Sequence, residues 1–403
     1  MTQAPLEGVR IVDFTWAWAG PQATVLLGFL GAEVIKVESR RRLDHTRMRS
    51  LMAGPTMAGP DHSTIFSDLN FNKLSLTLDL TQPKAVEIVK RLVRISDVVA
   101  QNMRPGVMDR LGLGYEELRA VKPDIIMLSS SAVGATGPER SYVGYAPTFA
   151  AMGGIAHITG PADGPPQPLS GAVDLRVGTT SAFAVLAALY HRRRTGRGQH
   201  IDLSSTEAVS ALIGHVFMDY AMNGRVPGRA GNHDQAMAPH NCYPCQGERK
   251  WVAIAVTSDE EWRALCRVAG DGRLAEDPRF ADAAGRHSHQ EELDRLLGEW
   301  TRSRTPAEVT EALQREGVAA TPVVDGPSVA QDPHLRERGI LQEVDHPALG
   351  KRMVLGAPWK MSKVPWEVRR SPLLGEHNQY VLGELLGISQ EEIDRLVEEG
   401  VVY

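Results

Sequence analysis

The sequence predicts an α/β protein: a large Rossmann-like domain with a parallel sheet, followed by a smaller α+β domain. Three observations carry this. Short β-branched runs alternate with helical stretches from the N-terminus to Ser130, the pattern of a wound parallel sheet. The texture changes near residue 224 to Gly, Pro, Asn and His, which marks a boundary. The 403 residues correspond to two or three domains at ~150 residues each.

Val9–Phe14 reads as the first strand, and Pro21 begins a helix to about Gly31, proline being suited to a first turn. Glu33–Val37 is the second strand. Residues 40–64 carry Arg, Met and Gly without a period and read as a long loop, where function tends to concentrate. Leu74–Leu80 alternates as a strand. Thr81–Ile95 places apolar residues at 86, 88, 89, 92 and 93, one stripe of a helix. Val98–Ala100 and Ile125–Ser130 are further strands. Ligands on such sheets sit beyond the carboxyl ends of the strands. That directs attention to Thr15–Gly20, Ser39–Arg41, Gln101–Arg110 and Ser129–Gly137.

Ala182–His191 lies in a buried helix. The turn Thr195–Gln199 leads to a strand, Ile201–Leu203, and to a helix capped by Ser204 or Ser205 with Glu207 in its first turn. Lys250–Val256 is a strand of the small domain, with helices near 258–269, 289–301 and 305–316. Residues 326–403 are mostly loop, with helices near 376–387 and 389–399. The expected domains are 1–224, 225–325, and a linker with C-terminal helices, 326–403, returning to the large domain.

Lys and Arg number 44 against 49 Asp and Glu, so the net charge is −5. That balance argues against nucleic-acid and membrane partners. The 42% apolar and 23% charged composition excludes intrinsic disorder. Three cysteines are too few for a disulfide scaffold and suit a reducing compartment. Met1–Pro5 shows no basic-then-apolar signal. Apolar stretches such as Phe183–Tyr190 fall short of the ~20 residues needed to span a bilayer. The expectation is a cytoplasmic, soluble protein of enzyme size.

Missing motifs narrow the class further. The first strand is followed by Thr15-Trp16-Ala17-Trp18-Ala19-Gly20-Pro21, not G-x-G-x-x-G, which disfavours a dinucleotide dehydrogenase. Neither a P-loop nor G-x-S-x-G nor H-E-x-x-H occurs. His240-x-Cys242-x-x-Cys245 lacks an obvious fourth zinc ligand and reads as a loop with buried thiols. His287 and His289 with Glu291 and Glu292 read as an exposed helix start. No metal is expected.

Asp174 stands beside Ala172, Val173 and Leu175 at the start of the buried helix, after a run of Gly and Pro turns. On these residues alone it is an N-cap or first-turn acid, stabilised as an anion by the helix dipole, or, partly desolvated, a nucleophile. Here the chain resembles the class III CoA-transferases, the carnitine-dehydratase/bile-acid-inducible family that includes formyl-CoA transferases and α-methylacyl-CoA racemases. The likeness runs through PLEGVRIVDFTWAWAGP (5–21), GAEVIKVES (31–39), LNFNKLSLTLDL (69–80), SDVVAQNMRPGVMDRLGLGYEEL (96–118), TGRGQHIDLS (195–204) and LLGEHNQYVLGELLG (373–387).

The resemblance implies a large and a small domain, two subunits interlocked like links of a chain, and CoA transfer between carboxylic acids through a catalytic aspartate, here Asp174. It also implies coenzyme A, as substrate and not as a tightly bound cofactor, against Trp16, Ala17, Trp18, Arg40, Leu69, Lys73, Asn102, Met103 and Arg110. Lys73 and Arg110 are the expected phosphate or ribose contacts. Trp16 and Trp18 alternate, so one is expected to face the ligand while the other packs.

Three departures bear on the activity. The usual E-N-F-x-P-G is Gln101-Asn102-Met103-Arg104-Pro105-Gly106 here. Residues 231–245 lack the Gly-rich lid of some formyl-CoA transferases, which argues against formate and oxalate. The racemases' G-H-D is Gly144-Tyr145-Ala146, which removes the second base that racemisation requires. Tyr145 is then a hydrogen-bond donor to substrate. Arg176 is a candidate for gripping a second carboxylate. Succinyl-CoA and substituted succinates are the branch favoured by MAPHNC and DLRVGTTSAFA. A racemase and a non-catalytic CoA-binding subunit of a hetero-oligomer are the alternatives.

Overall fold

A computed structural model describes residues 4–50, 54–55, 59–364 and 366–403, without side chains at 49–50 and 54–55. Parts of the expected 40–64 loop therefore lie outside the described residues. The main sheet has six parallel strands: β1 (Arg10–Asp13), β2 (Glu33–Glu38), β3 (Lys73–Thr77), β4 (Val98–Gln101), β5 (Ile126–Ser131) and β6 (His200–Ser204). Their spatial order is β3-β2-β1-β4-β5-β6. The order reverses between β1 and β4, the place where such sheets open a crevice.

Alternation along the strands gives the sheet two buried faces. Val12, Ile35, Leu76, Val99 and Met127 share one core with Ile88, Val89, Leu92 and Val93 of helix α2 (Pro83–Arg94). C-terminal residues Val381, Leu382, Ile393 and Leu396 close the same face. Ile11, Val34, Val98, Ile126 and Leu128 face the other core, with Ala23 and Leu27 of helix α1 (Ala19–Phe29) and Val173, Val177 and Val185 of helix α3 (Ser170–Thr195). A fully buried aliphatic side chain contributes about 1.5–3 kcal/mol.

Helix α3 begins at Ser170, four residues before the Asp174 that was expected at its start. By length and hydropathy it would qualify as a membrane span. Its Val173, Val177, Ala182, Val185 and Ala188 are nevertheless buried in the sheet's second core. The structure divides into two compact units, residues 1–156, 168–226 and 333–403 in one, and 157–167 and 227–332 in the other. The first also holds a β-hairpin, Leu341–His346 with Gly350–Leu355, in a region read from sequence as loop. The second is a three-stranded antiparallel sheet, Ala319–Val323, Trp251–Ala255 and His240–Pro244, over helices Asp259–Ala269, Gln290–Thr301 and Pro306–Arg315. There His240 and Cys242 are strand residues, and Cys242 and Cys245 are free thiols.

Candidate active site

A cavity of about 700 Å³ opens at the carboxyl ends of β1, β4 and β5, within the first unit. Trp16, Ala17, Trp18, Asn102, Met103, Arg110, Tyr145 and Asp174, named from the sequence, all line it. Arg42, His45, Arg104, Tyr142, Ser130, Ser131, Ser170 and Ser205 are among the other lining residues.

The nucleophile candidate sits on a rigid element. The N-cap of α3 is Leu169, and no acid occupies its first turn, so Asp174 in the second turn is not a cap. The capping alternative is thereby removed, and with it the expectation of a dipole-stabilised anion. Burial pushes the Asp174 carboxyl up to about 6, with no cation or hydrogen bond drawing it back. One turn on, Gly178 fixes the helix against α1: a Cβ there would stand 2.7 Å from Gln22 Cβ and 2.8 Å from the Ala19 carbonyl oxygen. Only glycine permits so close a crossing.

The opposite wall is the turn between β1 and α1. Asn102 accepts from the Trp16 N–H at 2.7 Å and donates to the Trp16 carbonyl at 2.8 Å. Ala17 is left-handed, φ 65°. That conformation breaks the alternation of an extended chain, so both indoles line the cavity instead of one. Gly20 is required behind them, since a Cβ would meet Thr15 Cβ at 2.5 Å and Asn102 Cγ at 3.0 Å.

Beneath this turn is a buried ionic floor. Asp13 pairs with Lys73 at 3.1 Å and accepts from Thr15 Oγ1 and Thr24 Oγ1. Lys36 lies 3.4 Å from Asp44, and Arg47 grips Glu38 with two bonds, 2.9 and 2.8 Å. Burial pulls the Lys73 ammonium down to about 8, against the pull of Asp13.

This floor corrects four expectations. Lys73 cannot meet a phosphate: its side chain is fully buried and its ammonium donates to Asp13, Asn70 and the Pro21 carbonyl. Leu69 is buried and absent from the cavity wall, and Arg40 is exposed outside it. Arg42 lines the cavity in Arg40's stead, its guanidinium 5.0 Å over the Trp16 ring. Arg176 directs its Nε to the Ala208 carbonyl at 3.4 Å and does not line the cavity. Residues two apart on a helix lie on different faces, which the spacing from Asp174 already implied.

Tyr145 stands exposed at the rim, edge-on to His45 with ring centroids 6.2 Å apart. No motif singled out His45 or Arg42; the one signal was their place in the aperiodic 40–64 loop. A second cavity of about 240 Å³ shares Met103, Pro105 and Ser131 with the first and is also lined by Gln101. Both departures in the Gln101-Asn102-Met103 motif thus face this neighbouring space.

The cleft is therefore lined by one desolvated carboxylate and by three guanidiniums, Arg42, Arg104 and Arg110, that suit a polyphosphate. Comparison with known proteins agrees with this chemistry. The model of CoA-transferase family III matches residues 6–378. A succinyl-CoA–D-citramalate CoA-transferase of Chloroflexus aurantiacus is 35% identical over 99% of this chain and 98% of its own. The human succinyl-CoA:glutarate CoA-transferase is 32% identical over 99% of this chain and 90% of its own. A formyl-CoA:oxalate CoA-transferase of a Bradyrhizobium species is 34% identical over 100% and 98%. The crystal structure of a CAIB/BAIF family protein from Brucella suis superposes with a TM-score of 0.85 at 32% identity, covering 96% of this chain and 100% of that one. With its sheet, cleft and full-length relatives in agreement, the chain belongs to CoA-transferase family III, enzymes that act on CoA thioesters.

Proposed function

We propose that this CoA-transferase moves CoA from succinyl-CoA to a second carboxylic acid, with Asp174 as the nucleophile. One observation carries the reading: a carboxylate without a cation or hydrogen-bond partner among the described residues, raised to about 6 by burial, in the wall of a cleft lined by three arginines. At neutral pH such a group is ionised yet poorly solvated, which favours nucleophilic attack. Its oxygen attacks the thioester carbonyl, forming a mixed anhydride and expelling CoA thiolate. The thiolate attacks the aspartyl carbonyl, forming an aspartyl-CoA thioester and releasing succinate. The acceptor carboxylate attacks that thioester, giving a new anhydride and thiolate. The thiolate then takes the acceptor's acyl carbon, and Asp174 leaves as the free carboxylate.

Arg42, Arg104 and Arg110 hold the phosphates in this reading, and Trp16 and Trp18 flank the nucleotide or pantetheine arm. Tyr145 donates to a substrate oxygen. The succinyl donor and a dicarboxylic acceptor are supported by the names of two relatives. A dimer, with the interlocking expected of the family, is supported by apolar surface. Phe183 and Tyr190 on α3 are 72% and 63% exposed, and helix Gly214–Asn223 buries none of its residues, with Met222 74% exposed. Apolar surface on this scale marks an interaction face.

The test is intact mass after acid quench of enzyme mixed with succinyl-CoA, followed by peptide mapping. A CoA adduct on the Asp174 peptide is expected. Turnover without an adduct, or an adduct on another residue, would overturn the assignment.

A further inference from the structure

The turn that forms the cleft's wall after β1 is gripped group by group. The Thr15 N–H donates to Asp13 Oδ1 at 2.9 Å, and the Thr15 carbonyl accepts from Lys36 Nζ at 2.6 Å. Trp16 uses both its backbone groups on Asn102, at 2.7 and 2.8 Å. The Ala17 N–H donates to Asp44 Oδ1 at 3.3 Å. Asp44 is itself fully buried; Oδ1 also accepts from Thr46 N and Oγ1, and Oδ2 faces Lys36 at 3.4 Å. The Lys36–Asp44 pair therefore holds a carbonyl at one end of the turn and an N–H at the other.

This grip coincides with an unfavourable conformation. Ala17 has a Cβ and yet sits at φ 65°, where L-residues are strained by the contact of Cβ with backbone oxygen. Strain of this kind persists only where surrounding bonds over-determine it. Its consequence is the placement of both indoles in the cleft. Both side-chain polar atoms of Asn102 are engaged by Trp16, and Asp44 does not line the cavity.

We infer that Asp44 and Asn102 are positioning residues that hold Ala17 left-handed and so set Trp16 and Trp18 against coenzyme A. The inference rests on the proposal that this cleft binds the coenzyme. Glycine adopts the same φ without strain, so the worth of each grip depends on which residue occupies this position.

The experiment is a pair of double-mutant cycles read by calorimetric titration with coenzyme A alone, which needs no turnover. Asn102→Ala and Asp44→Asn are each expected to weaken binding about 5- to 10-fold, the order set by the left-handed penalty of a residue with a Cβ. In the Ala17→Gly background the same changes should cost less than about 2-fold, because glycine removes that penalty. With succinyl-CoA the loss should appear in KM more than in kcat. The Ala17→Gly substitution should leave the melting temperature unchanged or raise it slightly, since relief of the left-handed strain offsets the added unfolded-state entropy. Affinity regained in the glycine background, with the loss confined to KM, is a result that a merely structural role does not give. Equal losses in the wild-type and Ala17→Gly backgrounds would overturn the inference. If Asp44→Asn does not fold, the Asn102 cycle decides alone. A wild-type protein that fails to bind coenzyme A would sink the functional reading itself, a distinct outcome.

Discussion

Asp174→Asn should make the protein more stable at neutral pH while abolishing its activity. The carboxylate has lost water without gaining a partner, so ionising it in the fold costs free energy. A rise from 3.8 to about 6 corresponds to roughly 3 kcal/mol. Part of the group remains open to water in the cleft, which reduces the expected gain to about 1–2 kcal/mol. For a chain of this length that is a rise of about 1–2 °C in Tm at pH 7.5. The sign follows from linkage. Between the unfolded and folded pKa values the native protein binds the extra proton, so wild-type stability falls as pH rises from about 4 to 6. The asparagine variant has no such slope. Its advantage should be complete above pH 6 and disappear as pH falls towards 4. Paired scanning fluorimetry of the two proteins from pH 5 to 8, at one protein concentration and scan rate, measures the difference. Transfer from succinyl-CoA should drop at least about 10³-fold, some 4 kcal/mol of transition-state stabilisation. In the wild type kcat/KM should fall below pH 6. A variant less stable than wild type at pH 7.5, or an advantage that persists unchanged at pH 5, would refute the desolvation argument.

Arg110→Ala should raise KM for acyl-CoA with little change in Tm, whereas Lys73→Ala should lower stability by about 3–5 kcal/mol by leaving Asp13 uncompensated; denaturant titration with Michaelis kinetics separates the two. Gly178→Ala should cost about 1–3 kcal/mol by forcing α3 from α1, seen as a lower urea midpoint and lower kcat. Tagged and untagged protein should form no hybrid dimers within hours at 25 °C, since interlocked chains separate only by unfolding; hybrids within minutes on an affinity resin would exclude interlocking. The α-proton of (R)-2-methylacyl-CoA should not wash out in deuterated water by NMR, because Gly144-Tyr145-Ala146 stands where the racemases carry their histidine motif; exchange faster than transfer would point to His45, a histidine in the cleft, as the second base.

Much of this was legible in the residues. The parallel strands through Ser130 follow from β-branched runs, and the position of the cleft from where those strands end. Trp16, Asn102, Arg110, Tyr145 and Asp174 came from the resemblance to the family, and all five line the cleft. Lys73 misled because a lysine at a strand start reads alike whether it faces solvent or a buried acid, and its partner Asp13 is 60 positions away. Arg42 could not be told from Arg40 and Arg41 without the turn that brings one of them over Trp16. The hairpin Leu341–Leu355 escaped because it buries little beyond Val344, His346 and Val354, so alternation barely registers.

The floor of the cleft has a consequence for how this enzyme could change. Asp13, Glu38 and Asp44 are matched one for one by Lys73, Arg47 and Lys36, all out of water. Exchange of any one member strands an opposite charge inside the protein, so single steps there are costly and only paired replacements keep neutrality. The rim obeys no such rule: Arg42, Tyr142 and Tyr145 belong to surface segments that tolerate exchange one residue at a time. A library seeking new acceptor acids should therefore draw its diversity from 42–45 and 142–147, sparing Asp44, and leave the six charges beneath untouched. Variation at the floor will be read out as lost stability, and variation at the rim as altered selectivity.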